Sequence, residues 1–245
     1  MKRVLAFDLP IRLFHWIFTI LFITAMVIAN TVDDDSATFS YHMMAGMTLG
    51  FVLFLRIIWG FMGSTYARFN SFMVKPSQLI GYFKEMFGSS TKRYLNHNPA
   101  SSIAALVMFI CVIGLGLTGY RMTTGAEGVK DVHEFFAQLF VVTAIAHIIG
   151  VIYHQVRHKD GMITSMIDGK KDAVEGQKPI ESSRTVAGFV FLLLTVGFIW
   201  FLNANFDAST RTLNMFGTEI LLGEHEEGEN DHERNRYQNR ENSQD

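Results

Sequence analysis

Nine histidines are the residues of this 245-residue chain whose type and spacing could do chemistry. Four of them, His15, His42, His133 and His147, lie inside long apolar stretches, near their ends. His133 and His147 are 14 residues apart. On one helix that separation is about 21 Å and nearly four whole turns, so both imidazoles point to the same side. Neutral imidazole is a strong axial ligand for heme iron. Two such ligands leave no open position on the metal, so iron held in this way moves electrons and does not bind substrate.

The elements that must carry these histidines are apolar and long. Five stretches stand out, at residues 13–29, 41–61, 100–120, 132–153 and 187–202. Each is close to the roughly 20 residues that span a bilayer core as a helix, and none shows the polar face of a soluble amphipathic helix. The chain is 49% hydrophobic and 18% charged, with a mean hydropathy of +0.20, which excludes a disordered chain. Its single cysteine, Cys111, excludes a disulfide scaffold. The balance of 21 basic to 23 acidic residues excludes a surface that tracks nucleic-acid phosphates. Lys2 and Arg3 ahead of an apolar run resemble a signal peptide, but Arg12, His15 and Trp16 interrupt that run.

Loop charges set the expected orientation. The N-terminal segment and the loops after the second and fourth stretches hold 14 Lys and Arg residues, against Arg121 and Lys130 in the others. The N-terminus is therefore expected in the cytoplasm and the C-terminus outside. Each leaflet then holds two histidines: His42 and His133 as the outer pair, His15 and His147 as the inner pair. His154 lies seven residues beyond His147 on the same face and competes for the inner position. A helix that starts near Pro10, capped by Asp8, moves His15 inward and favours His147.

Other residues fit the same centres. Gly46, Gly50, Gly114, Gly116 and Gly119 allow close approach by a flat ring, or by another helix. Arg12 and Arg56 are candidate partners for anionic heme propionates. Arg56 lies within Phe54-Leu55-Arg56-Ile57-Ile58 and could alternatively snorkel to the headgroups. Arg121 and Arg157 also sit at span ends. Residues 76–87 read as a short amphipathic helix on the cytoplasmic surface. The polar segment beyond Glu224 is expected to be disordered.

Several segments resemble the bacterial cytochrome b561 and Ni,Fe-hydrogenase b-type cytochrome family. Asp8-Leu9-Pro10-Ile11-Arg12-Leu13-Phe14-His15-Trp16 is similar to the family's opening. Arg56-Ile57-Ile58-Trp59-Gly60-Phe61-Met62-Gly63 with Tyr66-Ala67-Arg68-Phe69 resembles the end of its second helix, and Arg93-Tyr94-Leu95-Asn96-His97-Asn98-Pro99 the start of its third. His133-Glu134 with His147 matches the fourth-helix pair. Gly161-Met162-Ile163 and Gly169-Lys170-Lys171 resemble the stretch that closes the domain. The resemblance covers residues 5–172. It implies a four-helix membrane core with two hemes b, with His15, His42, His133 and His147 as axial ligands, and it makes His97 part of a structural loop. It also implies electron exchange between a quinone pool and a redox partner. Asn96 departs from the small residue expected before His-Asn-Pro, and a fifth span and an acidic tail extend beyond the usual core.

The resulting expectation is an all-α integral membrane bundle. Residues 1–172 form the diheme four-helix domain, 173–204 a cytoplasmic linker and fifth transmembrane helix, and 205–245 an acidic, disordered extracytoplasmic tail. The chain is expected in the bacterial cytoplasmic (inner) membrane, carrying electrons in a respiratory chain between quinone and an oxidoreductase subunit or a periplasmic c-type cytochrome. It would be an electron-transfer subunit rather than a stand-alone enzyme. Arg157, His154 or His158 could serve a quinone site near the inner face, because quinone reduction consumes protons. The rival readings are a superoxide- or metal-reducing oxidoreductase on the same core, with Lys130 and Arg121 attracting an anion, a divalent-metal transporter, and a heme-free structural anchor.

Overall fold

Asp8 opens the first long helix. Its carboxylate accepts the Ile11 N–H at 3.0 Å, and a proline occupies the first turn. This side-chain cap serves a helix end whose first N–H groups have no partner within the helix. A second carboxylate oxygen of Asp8 accepts the Trp59 indole N–H at 3.1 Å, tying the start of the first helix to the end of the second. Asn98 caps the fifth helix in the same way, through the Ser101 N–H at 2.8 Å, again with proline in the first turn.

The computed structural model describes residues 2–34, 36–86, 88, 93–126 and 128–222. Strand β1 (Arg3–Leu5) leads into α1 (Leu9–Thr31), and a 3-10 turn at Ala37–Phe39 leads into α2 (Ser40–Met62). Two short helices follow, α3 (Phe69–Phe72) and α4 (Pro76–Met86). Next come α5 (Pro99–Thr123) and α6 (Val129–His158), then α7 (Ser165–Asp168) and strand β2 (Lys170–Asp172). Helix α8 (Thr185–Ala204) precedes β3 (Phe206–Asp207), β4 (Thr212–Met215) and β5 (Thr218–Leu221).

Five helices, α1, α2, α5, α6 and α8, are long and apolar enough to cross a membrane. Each runs past the corresponding apolar stretch because its ends sit in polar flanking sequence. α1 packs on α2 and α5 on α6, the two hairpins meet along α2 and α5, and α8 lies against α1 and α2. Phe14, Phe18, Leu49, Val52, Leu53, Phe109 and Phe140 fill the shared core. Phe140 is the central α6 contribution, stacked on Phe22 at 3.8 Å and on Phe18 at 5.8 Å.

One end of the bundle is closed by a tie between distant parts of the chain. β1 pairs antiparallel with β2, with Arg3 opposite Asp172 and Leu5 opposite Lys170. The turn before β2 passes so close to α1 that a Cβ on Gly169 would lie 2.6 Å from the Phe7 carbonyl oxygen. Gly169 also has a φ of +77°, which favours glycine. α4 forms as the amphipathic pattern predicts, with Tyr82 buried and Ile80 and Phe83 exposed. Phe87, the last residue of that pattern, lies outside the described residues.

The segment from residue 205, expected as disordered tail, is corrected by the structure. Residues 206–221 form the antiparallel meander β3-β4-β5. Leu213 and Leu222 are buried against Met44 of α2 and Leu202 of α8, which explains the order. The acidic residues Glu224 to Glu233 lie outside the described residues.

Asp8→Ala removes both the α1 cap and the Trp59 bond. It is expected to destabilise the protein by about 1–3 kcal/mol, read as a lower thermal unfolding midpoint in detergent. Trp59→Phe should lose only the smaller part.

Candidate functional site

The pair expected at the outer level is assembled from two helices that approach across the bundle. His42 stands in the first turn of α2 and His133 in the first turns of α6, with ring centroids 6.4 Å apart. The protons on these rings are assigned by their partners. His42 Nδ1 lies 2.9 Å from the Ala25 carbonyl oxygen on α1, which can only accept, so Nδ1 carries the hydrogen. His133 Nδ1 lies 2.8 Å from Thr118 Oγ1 on α5. That hydroxyl already donates to the Gly114 carbonyl at 2.7 Å, so it accepts from His133. Both imidazoles thus spend Nδ1 on a partner from a neighbouring helix, which orients the ring and leaves Nε2 as the nitrogen that could meet a metal.

This geometry fits a shared axial metal. Two imidazoles bound through Nε2, with metal–nitrogen bonds of about 2.0 Å, place their ring centroids about 6 Å apart. The nearby glycines leave open space. A Cβ built on Gly46 or Gly50, which follow His42 along α2, or on Gly116 of α5, meets nothing within 4 Å. Gly119 lies beside the His133 ring, 3.6 Å from Cε1. Gly114 serves packing instead, since Phe136 fills the space where its Cβ would stand.

His15 of α1 and His147 of α6 lie within electrostatic range of one another at the opposite end. The buried Nδ1 of His147 has no hydrogen-bond partner among the described residues. Arg56 is 3% exposed and so does not snorkel. Its guanidinium is caged by Phe14, Phe69 and Phe109 at 5.9, 5.6 and 6.0 Å, with Asp8 as a counter-charge. Arg12 donates to the Ile167 carbonyl at 2.5 Å, which fixes it to α7.

His97, placed by the sequence in a structural loop, closes on the same region. It meets Phe7 edge-on at 5.2 Å. Burial first, then the charges of Arg56, His147, Lys171 and His15, hold its pKa down to about 3. The loop is therefore structural in form but contributes a neutral imidazole to the surroundings of the inner pair. The His-Asn-Pro pattern was the available signal, through the Asn98 cap that fixes where the chain turns.

His154 sits elsewhere. It is 3% exposed, and its Nε2 is 3.1 Å from Asp160 Oδ2. Lys171, counted in the sequence among loop cations, is fully buried and reaches the same oxygen at 3.3 Å and the Tyr94 carbonyl at 2.7 Å. Burial pushes the Asp160 carboxyl up. The His154 hydrogen bond and the Lys171 charge outweigh it and hold the group well below the usual carboxylate range. His158 meets His154 at a tilt, with ring centroids 4.5 Å apart, and Arg157 bonds the Tyr153 hydroxyl and the Gly88 carbonyl. At the other end Lys130 pairs with Asp34 at 3.4 Å. No group of three or more metal-binding side chains converges among the described residues.

The chain is similar to known proteins over much of its length. The family model described as prokaryotic cytochrome b561 matches residues 6–169, more than half of the chain. A "Probable Ni/Fe-hydrogenase B-type cytochrome subunit" of Rhodobacter capsulatus is 25% identical, over 70% of this chain and 84% of its own length. Proteins of the same description from Rhizobium leguminosarum bv. viciae and, as a hydrogenase 1 subunit, from Escherichia coli (strain K12) are each 22% identical. They cover 69% and 66% of this chain, and 89% and 88% of their own lengths. No solved structure matches the chain significantly.

Asp160→Asn leaves Lys171 buried without its counter-ion. It is expected to cost about 3–5 kcal/mol at neutral pH. Because the folded carboxyl titrates below its ordinary value of 3.8, its contribution is complete above about pH 4 and declines as pH falls further. The gap in unfolding midpoint between wild type and variant should therefore narrow below that pH. Replacing Lys171 by Met in the same variant should recover most of the loss.

Proposed function

The chain belongs to the prokaryotic cytochrome b561 family, and from that premise we propose that it carries electrons across the bacterial cytoplasmic membrane between quinone and a redox partner. As a member of this family it is a membrane-embedded b-type cytochrome, an electron-transfer protein built on heme b. The observation that carries the finer reading is the outer pair: two imidazoles 6.4 Å apart, both with Nδ1 engaged and Nε2 left for a metal. The proposed ligand set is His42 with His133 and His15 with His147, holding two hemes b. Bound heme supplies a one-electron Fe(III)/Fe(II) couple.

The chain's own residues do the rest. α6 carries one ligand of each pair, 14 residues apart, and so sets about 21 Å between the two levels. Imidazoles supplied from two helices would leave no open position on a bound heme iron for other molecules. Ala25 and Thr118 fix the outer rings, and the Phe18, Phe22 and Phe140 stack between the levels excludes water. Arg56, buried in its aromatic cage, supplies a fixed positive charge for an inner propionate. Arg12 is the second proposed propionate partner, through the guanidinium atoms not spent on Ile167. His154 is committed to Asp160, which supports His147 as the inner ligand.

Histidines paired at opposite ends, instead of meeting near the midplane, support an electron carrier over a divalent-metal transporter. The N-terminus is proposed to be cytoplasmic. The relatives' names specify a Ni/Fe-hydrogenase, which makes a hydrogenase one proposed partner, beside another oxidoreductase subunit or a c-type cytochrome on the outer side.

Protein purified from heme-replete cells is expected to hold two low-spin hemes b per chain. His42→Ala and His133→Ala should each lose the outer one, His15→Ala and His147→Ala the inner one, and His154→Ala neither. In liposomes with trapped ferricyanide, external quinol should reduce the interior in wild type and not in these four variants. Heme-free wild-type protein would overturn the reading.

A further inference from the structure

We propose that the meander β3-β4-β5 is a positioning device for the outer imidazole pair, acting through the first turn of α2. The inference rests on the reading of His42 as an axial ligand. The meander lies beyond residues 6–169, the part that matches the family, so it is an addition to the shared core.

The starting point is how α2 begins. It has no side-chain cap at its own first turn but continues the 3-10 turn Ala37–Phe39, whose cap is Ser36, accepting the Thr38 N–H at 3.1 Å. His42 is the third residue of α2, so the position of this short leading turn sets the position of the imidazole. The meander grips the same turn from the side. Ser40 Oγ donates to the Leu222 carbonyl at 2.7 Å, and both residues are buried. Tyr41 meets Phe206 edge-on at 6.0 Å. Met44 packs in one cluster with Leu202, Leu213 and Leu222.

His42 is therefore flanked in sequence by residues the meander grips, while its ring is held by Ala25 on α1 and stacks on Phe39 at 5.1 Å. The His133 ring is held by Thr118 of α5. The meander also covers this end of α2 and α8 with apolar side chains. Ring orientation and exclusion of water are the protein's levers on an axially ligated metal, so a device at this place sets the redox poise of the outer site and leaves the inner one alone.

The test uses the full-length protein with Ser40→Ala, which removes one oxygen atom, and Leu213→Ala, which opens the meander core. The outer heme is first identified as the one missing from His133→Ala. At fixed redox poise the reduced-to-oxidised ratio of that heme should change about fivefold in each variant, the scale of one hydrogen bond. Its low-spin electron paramagnetic resonance signal should shift or broaden, and the inner heme should keep its ratio and signal. If both variants keep wild-type ratios and signals at both hemes while unfolding at lower temperature, the meander is only structural and the inference is wrong. If His42→Ala retains both hemes, the ligand reading beneath it fails instead. Should Leu213→Ala not fold, Ser40→Ala decides alone.

Discussion

A bilayer offers an imidazole no water, so an intramembrane histidine turns to the protein, or to a metal, for its ring partners. That constraint governs the architecture. For His42 and His133, oxygens on neighbouring helices hold the Nδ1 atoms, which leaves Nε2 for another partner. At the other pair the buried Nδ1 of His147 has no hydrogen-bond partner among the described residues, and a polar atom left so is costly. The same requirement explains why the rings come in pairs from different helices. One helix could place two histidines along its length, as α6 does, but only a packed bundle brings a second imidazole to each.

The remainder of the molecule holds the helices in the register this demands. Asp8 joins the start of α1 to the end of α2 through one carboxylate, and Asn98 sets the start of α5. The β1–β2 pairing brings the chain from beyond α6 back to the residues before α1. Beneath it, Asp160, Lys171 and His154 form a buried polar cluster. Its cost in desolvation is offset only while all three partners are present. The cluster pins the end of α6, and hence the height at which His147 stands, to the loop that carries His97.

Much of this was legible in the sequence, and for identifiable reasons. Span number and position follow from apolar length, which a membrane makes a strict requirement. The Asp8 cap and Pro10 mark a helix start by local chemistry alone. The His133–His147 spacing survives because a helix converts sequence distance directly into direction and height. Other features depend on contacts between distant segments and leave no local mark. Lys171 looks like any loop lysine until β1 covers it and Asp160 meets it. Arg56 fits snorkelling and burial equally until Phe69, the first residue of α3, completes its cage. The meander was hidden because its apolar residues are scattered among polar ones. Leu213 and Leu222 are buried in the core formed with α2 and α8, and Phe206, Met215 and Ile220 pack against it partly buried, a grouping that only the folded chain reveals. Gly114 and Gly50 are the same residue in similar helices, yet one receives Phe136 and the other faces open space.

The most direct test of the central claim is an iron anomalous difference map from crystals of the heme-loaded protein. The account predicts two iron peaks per chain about 21 Å apart, one between His42 and His133 and the other between His15 and His147. A single peak, or a peak coordinated by His154, would contradict it.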